Sequence, residues 1–482
     1  MGQNENRTRV LLLIGIVVAV GLSVVLHLRL AEKRAASNAA DNDPGLRAAR
    51  ALQDADRAAV NHDYHKASFH LDLALKAVDE GLAMRPGDLK LSRNRLVLTR
   101  RMGLVVQKRG RPDRACRFLE AAVDQATALF AIEPTNSRMR GDRLATARAW
   151  AEVDDCPRDE VIAGLRGAAE AVDTSAAIVP TTGLVRMLSA RTWLELATLE
   201  EAQGETAAAV GAARRALALA RARADDEHDP VSAASSAYSI VGGLVELAAK
   251  LGDAEAQIEF ERAAISILEV RARLSADDVT VRVILGARQG RLADFLHDAG
   301  DADAAERLHQ ASIVGLKRVF EQKPGDAKVR QFLVRSLSRK ASFYSGLEKN
   351  RAALALYAEA AKLAADLGAD GKRSYLIALG NQAQLLGRLD RTRAARKVAR
   401  TAYDLALELV GDAKASTKGR EDAVSAGLRY ARLLRAAPGA NRRKARGVAR
   451  AARDRLRALS GAESKRRKTL GKGLTALLTE LR

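Results

Sequence analysis

The stretch NHDYHKASFH (residues 61–70) gathers His62, Asp63, His65 and His70, and imidazoles with a carboxylate form a zinc-ligand set. His65 and His70 are five residues apart, on different faces of a helix. The stretch therefore reads as an exposed polar turn, and no metal is expected. The two cysteines, Cys116 and Cys156, are too few for a disulfide framework or a cysteine zinc site. Whether they pair is open at this level. In an exported domain they could be oxidised; in a reducing compartment they are small apolar residues. GADGKRS (368–374) lacks the spacing of a phosphate loop, and there is no His-Glu-x-x-His, Cys-x-x-Cys or Gly-x-Ser-x-Gly. No acid/base constellation can be assembled, so no cofactor is expected and the chain reads as a non-enzyme.

Charge is the next candidate for chemistry. The net charge of +21 is uneven: residues 387–482 hold 26 Lys and Arg against 9 Asp and Glu. Within NRRKARGVARAARDRLRALSGAESKRRK (441–468), Arg446, Arg450, Arg453 and Arg457 form a helical stripe that could meet anionic lipid or RNA phosphates. Only Tyr403 and Tyr430 are aromatic in this region, so platforms for base stacking are missing.

The elements that must position such groups are helices. Proline is rare (9 residues), aromatics are 4% of the chain, and no alternating Val/Ile/Thr-rich runs suggest strands. The core is expected to be built from Ala and Leu at close helix contacts. At the N-terminus, Val10–Leu26 carries no charge and one polar residue, Ser23, and spans about 26 Å as a helix. It reads as an uncleaved single-pass anchor, because the small residues at 37–40 lie too far beyond it to serve as a signal cleavage site. The flanking Arg7, Arg9, Arg29, Lys33 and Arg34 leave its orientation open. A short basic tail before a first apolar helix tips the reading towards export. The division expected is a tail (1–9), a transmembrane anchor (10–28), a polar stalk (29–44), a helical body (45–458, basic from about 387) and a C-terminal basic segment with a capping helix (459–482).

The body repeats. Sets spaced i, i+4, i+7 recur after turns: Ala67/Leu71/Ala74, Ala115/Leu119/Ala122, Val161/Leu165/Ala168, Ala209/Ala213/Ala216, Ala256/Phe260/Ala263, Ala304/Leu308/Ala311, Ala353/Tyr357/Ala360, Ala395/Ala399/Ala402 and Ala445/Ala449/Ala452. Their first members are 48, 46, 48, 47, 48, 49, 42 and 50 residues apart. Gly110, Gly204, Gly252, Gly300 and Gly387 precede sets and can end a helix in the left-handed conformation. A small residue recurs twelve positions earlier (Ala55, Gly103, Ala149, Ala197, Ala341, Ala383), although Leu stands at 244, 292 and 433. Pro86, Pro134 and Pro180 break the chain between units. Each unit is helix A, a turn, helix B, then a break.

This pattern resembles the tetratricopeptide repeat (TPR) family, in a long-helix variant with a period of about 48 residues rather than about 34. Ala341, Ala353, Tyr357 and Ala360 match one unit, with Lys372 where a proline is usual. The resemblance implies an all-α superhelical solenoid of about nine antiparallel helix pairs, whose A helices line a concave, partner-binding groove. By register the groove residues would be Arg100, Gln107, Lys108, Arg143, Trp150, Arg191, Tyr238, Gln289, Arg335, Ser338 and Gln384. A row of arginines among them suits carboxylates. The functional expectation is a scaffold on the bacterial inner (cytoplasmic) membrane that binds a protein or peptide. The alternative is a tethered binder of nucleic acid or an anionic surface through the basic end.

Overall fold

The computed structural model describes residues 43–225, 229–411, 417–436, 442–459 and 465–481; the apolar run at 10–26 lies outside them. The described residues form nineteen α-helices, one short 3₁₀ turn (Gly368–Gly371) and no strand. They divide into two compact units. Unit 1 holds four hairpins: α1 (Pro44–Val60) with α2 (Tyr64–Met84), α3 (Leu89–Lys108) with α4 (Pro112–Ile132), α5 (Ser137–Ala151) with α6 (Arg158–Ile178), and α7 (Gly183–Ala202) with α8 (Thr206–Ala224). Unit 2 holds five: α9 (Pro230–Leu251) with α10 (Ala254–Leu274), α11 (Val279–Asp298) with α12 (Ala302–Gln322), α13 (Ala327–Gly346) with α14 (Asn350–Ala365), α15 (Lys372–Arg388) with α16 (Thr392–Gly411), and α17 (Thr417–Arg435) with α18 (Arg442–Arg457). A last helix, α19 (Lys465–Glu480), closes it. Within each unit every hairpin packs on its sequence neighbours, so the fold is an α-solenoid. The helix B elements α2, α4, α6, α10 and α12 each run 21 residues, or about 31 Å.

Eight of the nine small-residue sets are buried as spaced. The sixth is corrected by one residue. Ala304 and Leu308 are half-buried and Ala311 is exposed, whereas Ala305, His309 and Ser312 are buried. Ser312 is accommodated locally, its hydroxyl donating to the Gly286 carbonyl at 2.6 Å. The shift also removes the Leu292 anomaly, since the position twelve residues before Ala305 is Ala293, fully buried.

The turns carry a second marker. Gly110, Gly204, Gly252 and Gly300 have φ of 71°, 84°, 69° and 89°. Gly387 is not such a residue; in that hairpin Asp390 takes φ 56°, and His62 and Glu348 do so in two others, at 59° and 58°. His62, proposed above for a polar turn, is thus the left-handed residue that makes the first one. Aspartate caps follow: Asp63, Asp253 and Asp301 accept from Lys66, Ala256 and Ala304 amides.

α9 is long and apolar enough to cross a membrane by length and composition. It is nonetheless helix A of the fifth hairpin, with Ala233, Ala237, Val241, Leu244 and Ala248 buried. α19 lies within the C-terminal segment 459–482. Leu470, Leu474, Leu477 and Leu478 cover Leu428, Leu434 and Ala449.

Candidate peptide-binding face

Within each unit the A helices of successive hairpins lie side by side, and polar side chains cross between several of them. Arg101 pairs with Asp56 and Arg93 with Asp142, and Arg148 meets Glu195 at 2.9 Å. In unit 2, Arg339 meets Asp294 at 3.1 Å and Arg373 meets Asp422 at 2.7 Å. Much of the charge on this layer therefore joins neighbouring units.

The expected groove residues separate into three groups. Arg100 and Gln107 belong to the seams: Arg100 donates to Thr146 Oγ1 at 3.2 Å and Gln107 to the Glu152 carbonyl at 3.1 Å. Desolvation holds the Arg100 pKa below its ordinary value. Arg143, Trp150 and Gln289 lie against helix B elements. The Arg143 guanidinium sits 4.7 Å over the Phe130 ring of α4 and donates to the Gly167 carbonyl of α6. Trp150 is buried against Gly164 of α6. Gln289 shares a recess with Gly315 and Arg318 of α12. The third group remains open. Lys108, Arg335 and Gln384 are exposed, and Arg191, Tyr238 and Ser338 are half-buried. Arg191 is desolvated beside Arg148, and both effects lower its pKa. Tyr238 lies 5.8 Å from the Arg271 and 5.9 Å from the Arg288 guanidinium.

A recess of roughly 280 Å³ lies between α13, α14 and α15. Ser342, Ser345, Tyr357, Asn381, Gln384 and Arg388 line it. Arg388 reaches Ser345 Oγ at 3.3 Å, and Arg429 of α17 reaches Asn381 Oδ1 at 3.4 Å. Arg335 is exposed on α13, seven residues before Ser342 and so on the same helix face. The arrangement offers hydroxyls, amides and two guanidinium groups to a polar chain, as peptide recognition requires.

Next to this recess runs a polar network that periodicity alone did not show. Glu261 is fully buried on α10 and receives Arg288 at 3.1 Å and Arg291 at 3.2 Å from α11. Burial pushes its carboxyl pKa up. His309 is buried 3.6 Å from Asp294. Desolvation, with Arg339, Lys340 and His297 nearby, outweighs that carboxylate and holds its pKa at about 4. Glu306 accepts from Tyr344 at 2.7 Å and Lys349 at 2.9 Å. The legible signal was a polar residue inside a core column; the apolar register at 304 concealed it.

At the basic end, Arg446 of the expected stripe donates to the Leu481 carbonyl, and Arg453 lies 3.8 Å from Asp454; Arg450 and Arg457 are exposed. Arg467 is buried against Glu421 at 2.8 Å, and Arg466 pairs with Asp422. Part of the basic charge thus attaches α19 to α17. Among the described residues no group of three His, Cys, Asp or Glu is placed to hold a metal. His65 Nδ1 is instead 3.0 Å from Arg109. Cys116 on α4 and Cys156 in the α5–α6 turn form a disulfide, with Cα atoms 5.5 Å apart.

No family model matches the chain, and no curated protein matches it in sequence. Among solved structures it is similar to BtubC (BKLC) from P. vanneervenii, at 15% identity and a TM-score of 0.35, over 53% of this chain and 94% of that one. Yeast Tom70 is similar at 12% identity and a TM-score of 0.31, over 90% and 96% of the two chains. The apo form of the quorum sensor NprR from B. thuringiensis is similar at 15% identity and a TM-score of 0.34, over 83% and 99%.

Proposed function

We propose that the chain is a membrane-anchored protein-interaction scaffold of TPR type that holds an acidic peptide segment of a protein partner against the helix A layer of unit 2. The observation that carries this reading is the polar recess of Ser342, Ser345, Asn381, Gln384 and Arg388, with Arg335 exposed along the same helix. Residues 10–28 anchor the chain in the bacterial inner membrane, and the body lies on the periplasmic side. The Cys116–Cys156 bridge supports that side, since disulfides persist in oxidising compartments. Anchoring raises the effective concentration of membrane-bound partners.

Selection of random displayed peptides on the full chain tests the reading. Enrichment of Asp and Glu is expected, and it should vanish on an Arg335→Glu/Arg388→Glu chain that keeps its helical circular dichroism. Equal enrichment on both chains, or none on either, sinks it.

A second reading rests on the exposed Arg393, Lys397 and Arg400 of α16 and Arg442, Arg443, Arg450 and Arg457 of α18. These would bind nucleic acid or an anionic surface with affinity that falls steeply as salt rises. Filter binding across a salt series separates it from peptide recognition.

A further inference from the structure

In an antiparallel hairpin the start of helix A and the end of helix B lie at the same edge. In unit 1 that edge is unusual. α2, α4 and α6 end in Met84, Ile132 and Ile178, which are 67%, 59% and 71% exposed. Val179, just after α6, and Leu184, at the start of α7, are 42% and 64% exposed. Five of the eight exposed large apolar residues of unit 1 therefore lie on one edge. Arg85, Lys90 and Arg138 are exposed there, as are Asp43 and Asp225, whereas Asp88 and Glu133 are half-buried and engaged with the Leu91 amide and the Asn136 side chain; Arg85 also lies 3.5 Å from Asp88. In unit 2 the corresponding ends are mixed: α10 ends in Leu274, 42% exposed, and Val231 at the start of α9 is 47% exposed, whereas α12 ends in Gln322 and α14 in Ala365.

The chain enters unit 1 at this same edge, where α1 begins at Pro44. Only residues 27–43 separate it from the apolar run Val10–Leu26, a span of at most ~60 Å. We infer that the break edge of unit 1 lies on the lipid bilayer, with Met84, Ile132 and Ile178 inserted at the headgroup boundary and the adjacent basic side chains facing anionic lipid. Isolated apolar side chains flanked by cations suit that interface. The inference rests on the reading of residues 10–28 as an anchor, and it sets which edge of unit 1 faces the membrane.

The test uses the full chain in vesicles of phosphatidylcholine and phosphatidylglycerol, with one tryptophan introduced at a time: Met84→Trp, Ile132→Trp, Ile178→Trp and, as control, Val60→Trp. Val60 is 70% exposed at the opposite, A–B turn edge. The native Trp150 and Trp193 are buried and give a constant background. Brominated lipid should quench the three edge tryptophans about twofold and leave position 60 unchanged. Quenching at 84, 132 and 178 no greater than at 60 overturns the inference, including the case in which a protein partner covers the edge. Flotation of the same vesicles at alkaline pH reads the anchor separately. A chain that floats without edge quenching keeps the anchor and loses the edge; a chain quenched at the edge but stripped by alkali docks peripherally and loses the anchor.

Discussion

At the scale of single residues, the solenoid depends on side-chain size at the A–B contact. A Cβ on Gly103 would lie 2.6 Å from Leu119 Cγ and 3.3 Å from the Ala115 carbonyl, whereas one on Gly87 would meet nothing within 4 Å. Gly103→Ala is expected to cost about 1–3 kcal/mol, and Gly87→Ala to stay within about 0.5 kcal/mol; urea unfolding of both variants measures the difference. His309 has the opposite character, a polar residue at a bulky position. Its folded pKa of about 4 lies below the ordinary 6.5. Between those values the unfolded chain binds the extra proton, so stability falls as pH falls through 6.5 and the loss is complete near pH 4. Between pH 7 and pH 5 the wild type should lose about 2 kcal/mol more than His309→Leu, read from urea midpoints at each pH. The same residue belongs to the register slip in the sixth unit. In AGDADAAERLHQAS two adjacent registers satisfy the spacing, and the apolar one is the more attractive on paper. The core accepts the other because Ser312 finds the Gly286 carbonyl.

At the scale of elements, three arginines perform a recurring task near the start of helix A. Arg140 donates to the carbonyls of Pro134 (2.9 Å), Ser175 (2.7 Å) and Val179 (2.9 Å). Arg186 reaches the Thr181 and Ala222 carbonyls, and Arg330 those of Pro324 and Asp366. Each joins the break before its helix to the end of the following helix B, where carbonyls lack intrahelical partners. Arg140 is 1% exposed, so Arg140→Met would keep its bulk but remove three hydrogen bonds, one of them to the buried Ser175. A loss of about 2–4 kcal/mol is expected, against a smaller loss for Arg186→Met, compared by thermal unfolding. Nothing in the period alone marks these arginines. They resemble any exposed helix-A arginine until the end of helix B, 35 to 39 residues later, is folded back against them.

At the scale of the molecule, a stack in which hairpins touch only their neighbours transmits a perturbation a short way. The Cys116–Cys156 bridge closes a 40-residue separation between the second and third hairpins. Replacing both cysteines by serine should lower the stability of unit 1 by about 2–4 kcal/mol. Hydrogen exchange should speed up in α3–α6 and stay unchanged in α11–α19; an equal rise along the whole chain would contradict neighbour-only coupling.

The sequence by itself determined the helical class, the number of hairpins and the small-residue columns, because helix periodicity and turn chemistry are local properties that survive in a single chain. Only the tertiary structure decided which polar side chains are open. Arg100, Arg143 and Arg335 have the same chemistry, yet Arg100 spans a seam, Arg143 lies over the Phe130 ring of another helix, and Arg335, 5.6 Å from the Phe332 ring of its own helix, is exposed. The partners of the first two come from other helices, and burial and pairing across those contacts are not encoded in the spacing of any one segment.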